Sequence, residues 1–364
     1  MHVGVIGCGS ISGIYFENLK RFAGVEVVAC ADLDLEKAKA TEIKYGLQRS
    51  GTPAELLADP NISIILNLTP PKIHSTITRA SVTVGKHVYS EKPLGLNTQE
   101  TGMIVAAAQA KGVRVGCAPD TILGSAVQTA RELIDRGSIG VPVAAQAYML
   151  SAGHESWHPN PEQFYEKGGG PMMDMGPYYI ASLVTLLGPV VRVSGSARAT
   201  FAERVVTAPQ KRGKRITVES PTHISGTMEF ESGAIGAITT TFDVIPVPMP
   251  HLVIFGTEGT LDMPDPNGFG GVVRLRPKGK DDYDKIPLNF PFVNNARGIG
   301  LLEMVAAINR SRPHRASAEL AQHVVEVLTS FAASAEQGRH ITLETRVDRP
   351  AAMSKSNTED SINE

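Results

Sequence analysis

The chain is predicted to be α/β. An N-terminal doubly wound parallel sheet spans residues 1–120, and a C-terminal α+β domain with a large open, mainly antiparallel sheet spans 121–345. Three observations predict this. Short apolar runs alternate with amphipathic segments as far as residue 120, the strand–helix–strand rhythm of a parallel sheet. Beyond that point strand-like runs follow one another with few helices between them, which implies antiparallel neighbours. A length of 364 residues gives each of two domains enough chain for its own core.

The first strand, residues 2–7, runs into Gly7-Cys8-Gly9-Ser10-Ile11-Ser12. Gly7 permits a tight turn and Gly9 lets a pyrophosphate approach the backbone. Ser12 stands where the full G-x-G-x-x-G pattern of a Rossmann domain has its third small residue. A helix over 11–21 would point its N-terminal N–H groups at that charge. The second strand, 25–31, ends in Asp32, at the place and spacing where an acid meets a ribose 2′-hydroxyl. A Gly-rich turn with no ligand is the bland alternative, and the agreement of strand, turn, helix and acid in order argues against it. A carboxylate at Asp32 would repel a 2′-phosphate. Leu33 supplies no cation, and Lys37 lies a turn into the next helix, so the expected cofactor is NAD rather than NADP. Gly7, Cys8, Gly9, Ser10, Ile11, Asp32 and Leu33 are the candidate cofactor contacts of this part.

Further strands are expected at 62–68, 87–90 and 113–117, with helices at 34–45, 53–58, 73–84 and 98–111. Asn97 with Glu100 forms a capping-box-like start, and Gly112 closes that helix. The strand at 62–68 ends in Asn67-Leu68-Thr69-Pro70-Pro71 with His74 beyond it, and the next ends in Ser90-Glu91-Lys92-Pro93. Ligands of an open parallel sheet sit at the carboxyl ends of its strands. Asn67, Thr69, Pro70, His74, Glu91 and Lys92 are therefore candidates for the nicotinamide end of the cofactor, and Lys92 also for catalysis.

In the second part a helix over 124–136 ends at Gly137, and strands are expected at 142–150, 190–200, 222–230, 234–243 and 251–256. Glu231-Ser232-Gly233 reads as a hairpin turn. Helices follow the pattern at 174–187, 299–310 and 317–336, the last capped by Ser317. Residues 346–364 are polar without periodicity and are expected to form a disordered tail.

The bulk numbers exclude other classes. Thirty-five basic residues nearly balance thirty-seven acidic ones, and no stretch is basic enough to track a nucleic acid. No apolar run has membrane-spanning length. The first strand begins too early to leave room for a signal peptide, so a cytoplasmic setting is expected. Cys8, Cys30 and Cys117 fall at or near strand ends and read as small buried residues, with no metal site or disulfide framework.

At this point the chain resembles the glucose–fructose oxidoreductase, inositol dehydrogenase and MocA (Gfo/Idh/MocA) family. The matching pieces are the Gly7-Cys8-Gly9 turn, Thr69-Pro70-Pro71 with His74, Glu91-Lys92-Pro93, and the run Gly169-Gly170-Pro171-Met172-Met173-Asp174-Met175-Gly176-Pro177-Tyr178. The resemblance extends to about residue 345. It implies a Rossmann domain, a C-terminal domain with a large open sheet, and hydride transfer on sugars or polyols. Many members carry D-x-G-x-H, with histidine as acid/base. Here Tyr178 stands at the last position, as in the branch of glucose–fructose oxidoreductase and the D-xylose dehydrogenases, whose members oxidise cyclic aldoses to lactones. Tyr179 is an adjacent rival for the role.

Asp174 and Tyr178 are four residues apart and would share one face of a helix. Ionising a free tyrosine at neutral pH costs about 4 kcal/mol. A neighbouring Lys92 ammonium and a positive nicotinamide ring would lower that cost, letting Tyr178 take the hydroxyl proton while Asp174 bonds the sugar. A packed core tyrosine and a helix-capping Asp174 are the bland alternative. His154-Glu155-Ser156-Trp157-His158 is a literal H-E-x-x-H, but that zinc chemistry needs one continuous helix, and Pro159 disfavours helix at His158. The run reads better as a loop over the pocket, in which Trp157 offers a flat face and His154 and His158 offer hydrogen bonds to a sugar. Asp120 sits where the resembled family often has arginine, and a carboxylate there would suit a neutral, hydroxyl-rich substrate.

The expectation is an NAD-dependent dehydrogenase oxidising a cyclic aldose, a pentose such as D-xylose or D-apiose or a hexose, at the anomeric carbon. The alternatives are oxidation of a secondary hydroxyl of a polyol or glycoside, an NAD-dependent glycosidase using transient ring oxidation, and a cofactor-binding sensor without turnover. A wide open sheet face favours pairing of copies, so a homo-oligomer joined through the C-terminal sheet is expected.

Overall fold

The computed structural model describes residues Met1–Glu364. The chain divides into two compact units, one of Met1–Gln128, Asn289–Val325 and Pro350–Glu364, the other of Thr129–Leu288 and Glu326–Arg349. No helix is long and apolar enough to cross a membrane.

The first unit holds strands β1 (His2–Ile6), β2 (Glu26–Ala31), β3 (Arg49–Gly51), β4 (Ile64–Asn67), β5 (His87–Ser90) and β6 (Val115–Cys117). They form a six-stranded sheet in the order β3-β2-β1-β4-β5-β6, with every pair parallel. The reversal of direction at β1 opens a crevice at the carboxyl ends of β1 and β4. Helices α1 (Ser12–Leu19), α2 (Leu35–Tyr45), α3 (Pro53–Ala58), α4 (Pro71–Thr83) and α5 (Thr98–Lys111) are the crossovers. Their starts follow local chemistry: Asp34 caps α2, a Thr52–Glu55 capping box starts α3, and Asn97 accepts from the Glu100 N–H of α5. Val3, Val5, Ile64, Ile65, Leu66, Val88 and Tyr89 are fully buried, as strands covered on both faces require. The three-residue β3 carries no apolar alternation, and its sequence does not announce it.

The second unit begins within α6 (Ser125–Asp135) and continues through β7 (Pro142–Leu150), α7 (Pro171–Asp174), α8 (Gly176–Leu187), β8 (Val190–Arg198), β9 (Glu203–Val205), β10 (Arg215–Thr217), β11 (His223–Phe230), β12 (Ile235–Thr241), β13 (Leu252–Gly256), β14 (Gly259–Met263), β15 (Val273–Pro277) and β16 (Asp284–Ile286). After α9 (Ile299–Asn309) in the first unit come α10 (Ala318–Gln337), which the division cuts after Val325, and β17 (Ile341–Thr342). Nine strands pair in the order β16-β15-β14-β13-β7-β12-β11-β8-β17, and β7 with β12 is the one parallel pair. The hairpin expected at Glu231-Ser232-Gly233 joins β11 to β12, with Gly233 at φ +88. Gly195 and Gly226 are register partners, and a Cβ on either would run into Phe331 of α10, so α10 packs directly on their backbones. The opposite face of β8, β11 and β12 presents Arg192, Ser194, Ser196, Ser225, Thr227 and Ile235 outward.

Two expectations need correction. The single helix over 174–187 is two: Met175 separates α7 from α8, since Pro177 has no N–H to carry the hydrogen-bond ladder back across the junction. The tail is packed rather than disordered. Met353 and Ile362 are buried, Met353 N donates to Gln128 Oε1 at 2.8 Å, and the Glu364 carboxylate accepts from Ser354 N, Asn357 Nδ2 and Arg315 Nη2 at 2.9, 2.7 and 2.9 Å. These are irregular, partner-by-partner contacts that leave no periodicity in the sequence.

Candidate active site

In the first unit the turn after β1 behaves as its glycines require. Gly7 lies at φ +104, and a Cβ there would sit 2.6 Å from the Leu68 carbonyl. A Cβ on Gly9 would meet no atom within 4 Å, so that side of the turn is open where a pyrophosphate would lie. Ser12 Oγ donates to Gly9 O at 2.8 Å and ties the turn to α1. Asp32 braces it from β2: Oδ2 accepts from Cys8 N at 2.9 Å and Oδ1 from Asp34 N at 3.1 Å, with Lys37 Nζ 3.8 Å from Oδ2. A carboxylate has about four acceptor positions, so two N–H bonds leave room for two ribose hydroxyls. Ser10, Ile11 and Leu33 are exposed beside it. These residues fit NAD. Cys8, Cys30 and Cys117 are buried thiols.

At the ends of β4 and β5 the candidates separate. Thr69 and Lys92 are half-buried and Pro70 is exposed. The side chains of Asn67, His74 and Glu91 instead face inward. Asn67 Nδ2 donates to His74 O and Thr78 Oγ1 at 3.0 and 3.1 Å, and its Oδ1 accepts from Thr69 Oγ1 at 2.7 Å. Glu91 Oε1 accepts from Tyr15 OH at 2.7 Å and Oε2 from Lys92 N at 3.0 Å. These groups hold the turns in shape.

Asp120 is also corrected. It is 1% exposed, and its Oδ2 accepts from the N–H groups of Gly298 and Gly300 at 2.8 and 3.2 Å, capping α9. A cap 178 residues distant in sequence leaves no local signature. Burial pushes this carboxyl up to about 6, and the two glycine N–H groups oppose the shift.

In the second unit His154–His158 closes one isolated turn: Trp157 N and His158 N reach His154 O at 3.3 and 3.0 Å. Glu155, which zinc-protease chemistry would need as a base, is bonded to Tyr165 OH at 2.8 Å and lies 2.7 Å from Arg204. His154 is buried, stacked on Phe164 with centroids 4.0 Å apart and edged by Phe242 at 4.6 Å. Its Nε2 lies 3.4 Å from Asp174 Oδ2, and its Nδ1 is a buried atom with no protein partner. This pairing across twenty residues is a feature that sequence spacing does not reveal. His158 stands edge-on to Phe164, and burial and then His154 pull it below the ordinary imidazole range. Trp157 turns outward, 62% exposed.

The two tyrosines are separated by geometry. Tyr179 OH donates to Tyr148 O at 3.1 Å and lies 3.3 Å from His251 Nδ1, and burial pushes its phenol far above the usual range. Successive helix residues lie about 100° apart, so Tyr178 points elsewhere. The structure thus ties the Tyr179 hydroxyl to the sheet.

Comparison with known proteins agrees with this architecture. The profile described as "Oxidoreductase family, NAD-binding Rossmann fold" matches residues 1–118, and that described as "GFO/IDH/MocA C-terminal domain" matches 127–262. Myo-inositol 2-dehydrogenase of Thermotoga maritima is 25% identical over 262 residues, 72% of this chain and 74% of the relative. 1,5-Anhydro-D-fructose reductase of Ensifer adhaerens is 27% identical over 268 residues, 71% and 74% of the two chains. The solved structure of levoglucosan dehydrogenase in complex with NADH shares the fold, with a TM-score of 0.81 at 18% identity over 95% of this chain and 99% of that one. A parallel sheet with an open glycine turn, an acid at the end of its second strand and a large mixed sheet, matched by both profiles, place the chain in the Gfo/Idh/MocA family of NAD-binding sugar and polyol oxidoreductases.

Proposed function

We propose that the protein oxidises a cyclic aldose at its anomeric carbon, giving a lactone, with Tyr178 as proton acceptor. The observation that carries this reading is the Asp174-Met175-Gly176-Pro177-Tyr178 run, with tyrosine where inositol dehydrogenases of the resembled family have histidine and with Tyr179 held away by the sheet. Bound NAD supplies the hydride acceptor. The chain's own groups divide the remaining work. The Gly7–Gly9 turn and Asp32 hold the dinucleotide. Tyr178 takes the hydroxyl proton, and the positive charge of Lys92 favours the phenolate. Asp174 accepts a hydrogen bond from the sugar while His154 orients it, and Trp157 and His158 offer the sugar a flat face and a further hydrogen bond. A second reading, oxidation of a secondary ring hydroxyl, draws support from the relatives named for myo-inositol and levoglucosan. We also propose that copies pair through the outward face of β8, β11 and β12.

The test is NADH formation across aldoses, polyols and glycosides. Aldoses giving NADH and lactone support the reading. NADH from polyols alone supports the second reading, and glycoside cleavage without net NADH supports an NAD-dependent glycosidase. On the best substrate, Tyr178→Phe should lower kcat by about 10²–10⁴ with NAD affinity unchanged. Lys92→Met should cost as much, and the double variant much less than the sum. Near-normal kcat in Tyr178→Phe overturns the tyrosine assignment.

A further inference from the structure

His74, in the first turn of α4, is 1% exposed. Its Nδ1 lies 2.7 Å from the carbonyl oxygen of Pro93 and its Nε2 lies 2.6 Å from that of Thr69. A carbonyl can only accept, and a neutral imidazole has one N–H and one lone pair. With a neutral ring, one of these contacts sets lone pair against lone pair at hydrogen-bonding distance. A ring turned over would bring carbons to the same positions, far inside the about 3.3–3.6 Å of a C–H···O contact. Both contacts are satisfied only if both nitrogens carry hydrogen.

The surroundings of the ring pull in opposite directions. Burial is the largest influence and on balance holds the affinity of the imidazole for a second proton below the ordinary, against what the two short carbonyl contacts demand. The Pro93 carbonyl, the Glu91 carboxylate and the Thr69 carbonyl raise it, and the Lys92 ammonium opposes them. Glu91 is itself fixed by Tyr15 OH from α1 and by Lys92 N. The main chain of His74 is held as well, since its carbonyl accepts from Asn67 Nδ2 at 3.0 Å. The ring therefore bridges two turns, Thr69 after β4 and Pro93 after β5, and the second of these follows Lys92 directly in sequence.

We propose that His74 is a positioning residue which, as an imidazolium, clamps the Thr69 carbonyl to the Pro93 carbonyl and thereby fixes the direction in which Lys92 leaves β5. The proposal rests on the role given to Lys92 above. Loss of one ring proton releases one carbonyl, loosens the turn that follows Lys92, and slows turnover on the alkaline side. Dinucleotide binding through the Gly7–Gly9 turn and Asp32 is untouched.

The experiment uses the full-length protein labelled with ¹⁵N in histidine. Two-bond ¹H–¹⁵N spectra report the protonation of each ring nitrogen, and the His74 signals are those missing from His74→Gln. Two protonated nitrogens at neutral pH are expected; an unprotonated His74 nitrogen overturns the proposal. In parallel, His74→Gln keeps a donor for only one carbonyl. It should lower kcat by about 10- to 100-fold, hold the NAD dissociation constant within about twofold, and remove an alkaline limb from the pH profile of kcat. A variant with lowered thermal stability but unchanged kcat per folded molecule would show a structural role only and overturn the positioning claim. Where His74→Gln does not fold, His74 is assigned from His74→Asn, and the spectra decide alone. If Lys92→Met keeps full kcat while His74 is doubly protonated, the reading of Lys92 fails and the clamp stands.

Discussion

Replacing Asp120 by asparagine separates a helix cap from a substrate ligand. The amide keeps an acceptor oxygen for the Gly298 and Gly300 N–H groups and removes the buried charge. Burial raises this carboxyl from an ordinary 3.8 to about 6. A separation of about 2 units corresponds to about 3 kcal/mol. The direction follows from which state binds the proton. The folded protein holds it more tightly than the unfolded chain, so between about pH 4 and about pH 6 the folded state carries more bound protons and wild-type stability falls as pH rises through that window. Above about pH 6 the contribution is constant. Asparagine does not titrate. Relative to wild type, Asp120→Asn should therefore gain about 3 kcal/mol between pH 4 and pH 7. Asp120→Ala should be less stable than Asp120→Asn by about 1–2 kcal/mol at every pH, the usual worth of a lost cap. Urea unfolding followed by far-UV circular dichroism across this range measures both differences. A wild-type-to-asparagine difference that stays flat with pH refutes the reasoning. Lost turnover in Asp120→Asn with superimposable unfolding curves would return Asp120 to the substrate.

The cofactor and the buried charge network give two further expectations. If Asp32 meets the ribose of the bound cofactor as proposed, NAD should bind at least about tenfold more tightly than NADP, since one charge-assisted bond lost and one repulsion gained exceed about 1.4 kcal/mol; titration of both cofactors against wild type and Asp32→Ala should show the gap and its narrowing. Glu303 is fully buried and accepts from Arg312 Nη1, Arg315 Nη1 and Arg315 N at 2.6, 2.7 and 2.9 Å. Glu303→Gln leaves the buried Arg315 with Glu364 as its remaining carboxylate and should destabilise the fold in denaturant unfolding by less than the roughly 3–5 kcal/mol of a fully unpaired buried charge.

How much of this was legible in the sequence follows from the range of the interactions involved. The Rossmann half could be read because its signals are local: apolar runs for β1, β2, β4 and β5, the cap at Asn97, and glycines whose backbone geometry the turn demands. Ser317 Oγ accepts from Leu320 N at 3.2 Å as its spacing predicts. The large sheet was legible as a class, yet β14, β15 and β16 were missed: β14 and β15 alternate apolar with polar residues over only five positions each, and β16 spans three, too short a run to stand out from a loop. The site was legible as a set of residues but less so as a set of roles. The His154–Asp174 pair, the Asp120 cap on α9 and the packed tail depend on partners far away in sequence, which no spacing rule reaches.

The inward-facing residues at the strand ends clarify what such a motif is for. Gly9, Ser10, Leu33 and Pro70 lie at the surface, where a ligand can reach them, and Gly9 has open space where its side chain would be. Asn67, His74 and Glu91 lie one layer deeper and bond to neighbouring turns through nearly all of their polar atoms. A ligand-binding turn has few hydrogen bonds of its own, because the groups that would make them must point at the ligand. Without the deeper layer those turns would sample many conformations, and binding would have to order them at about 1–2 kcal/mol per residue. The buried polar side chains remove that cost in advance, so the same short motif encodes both contact and preorganisation. Residues of the two kinds are interleaved in sequence, and burial tells them apart.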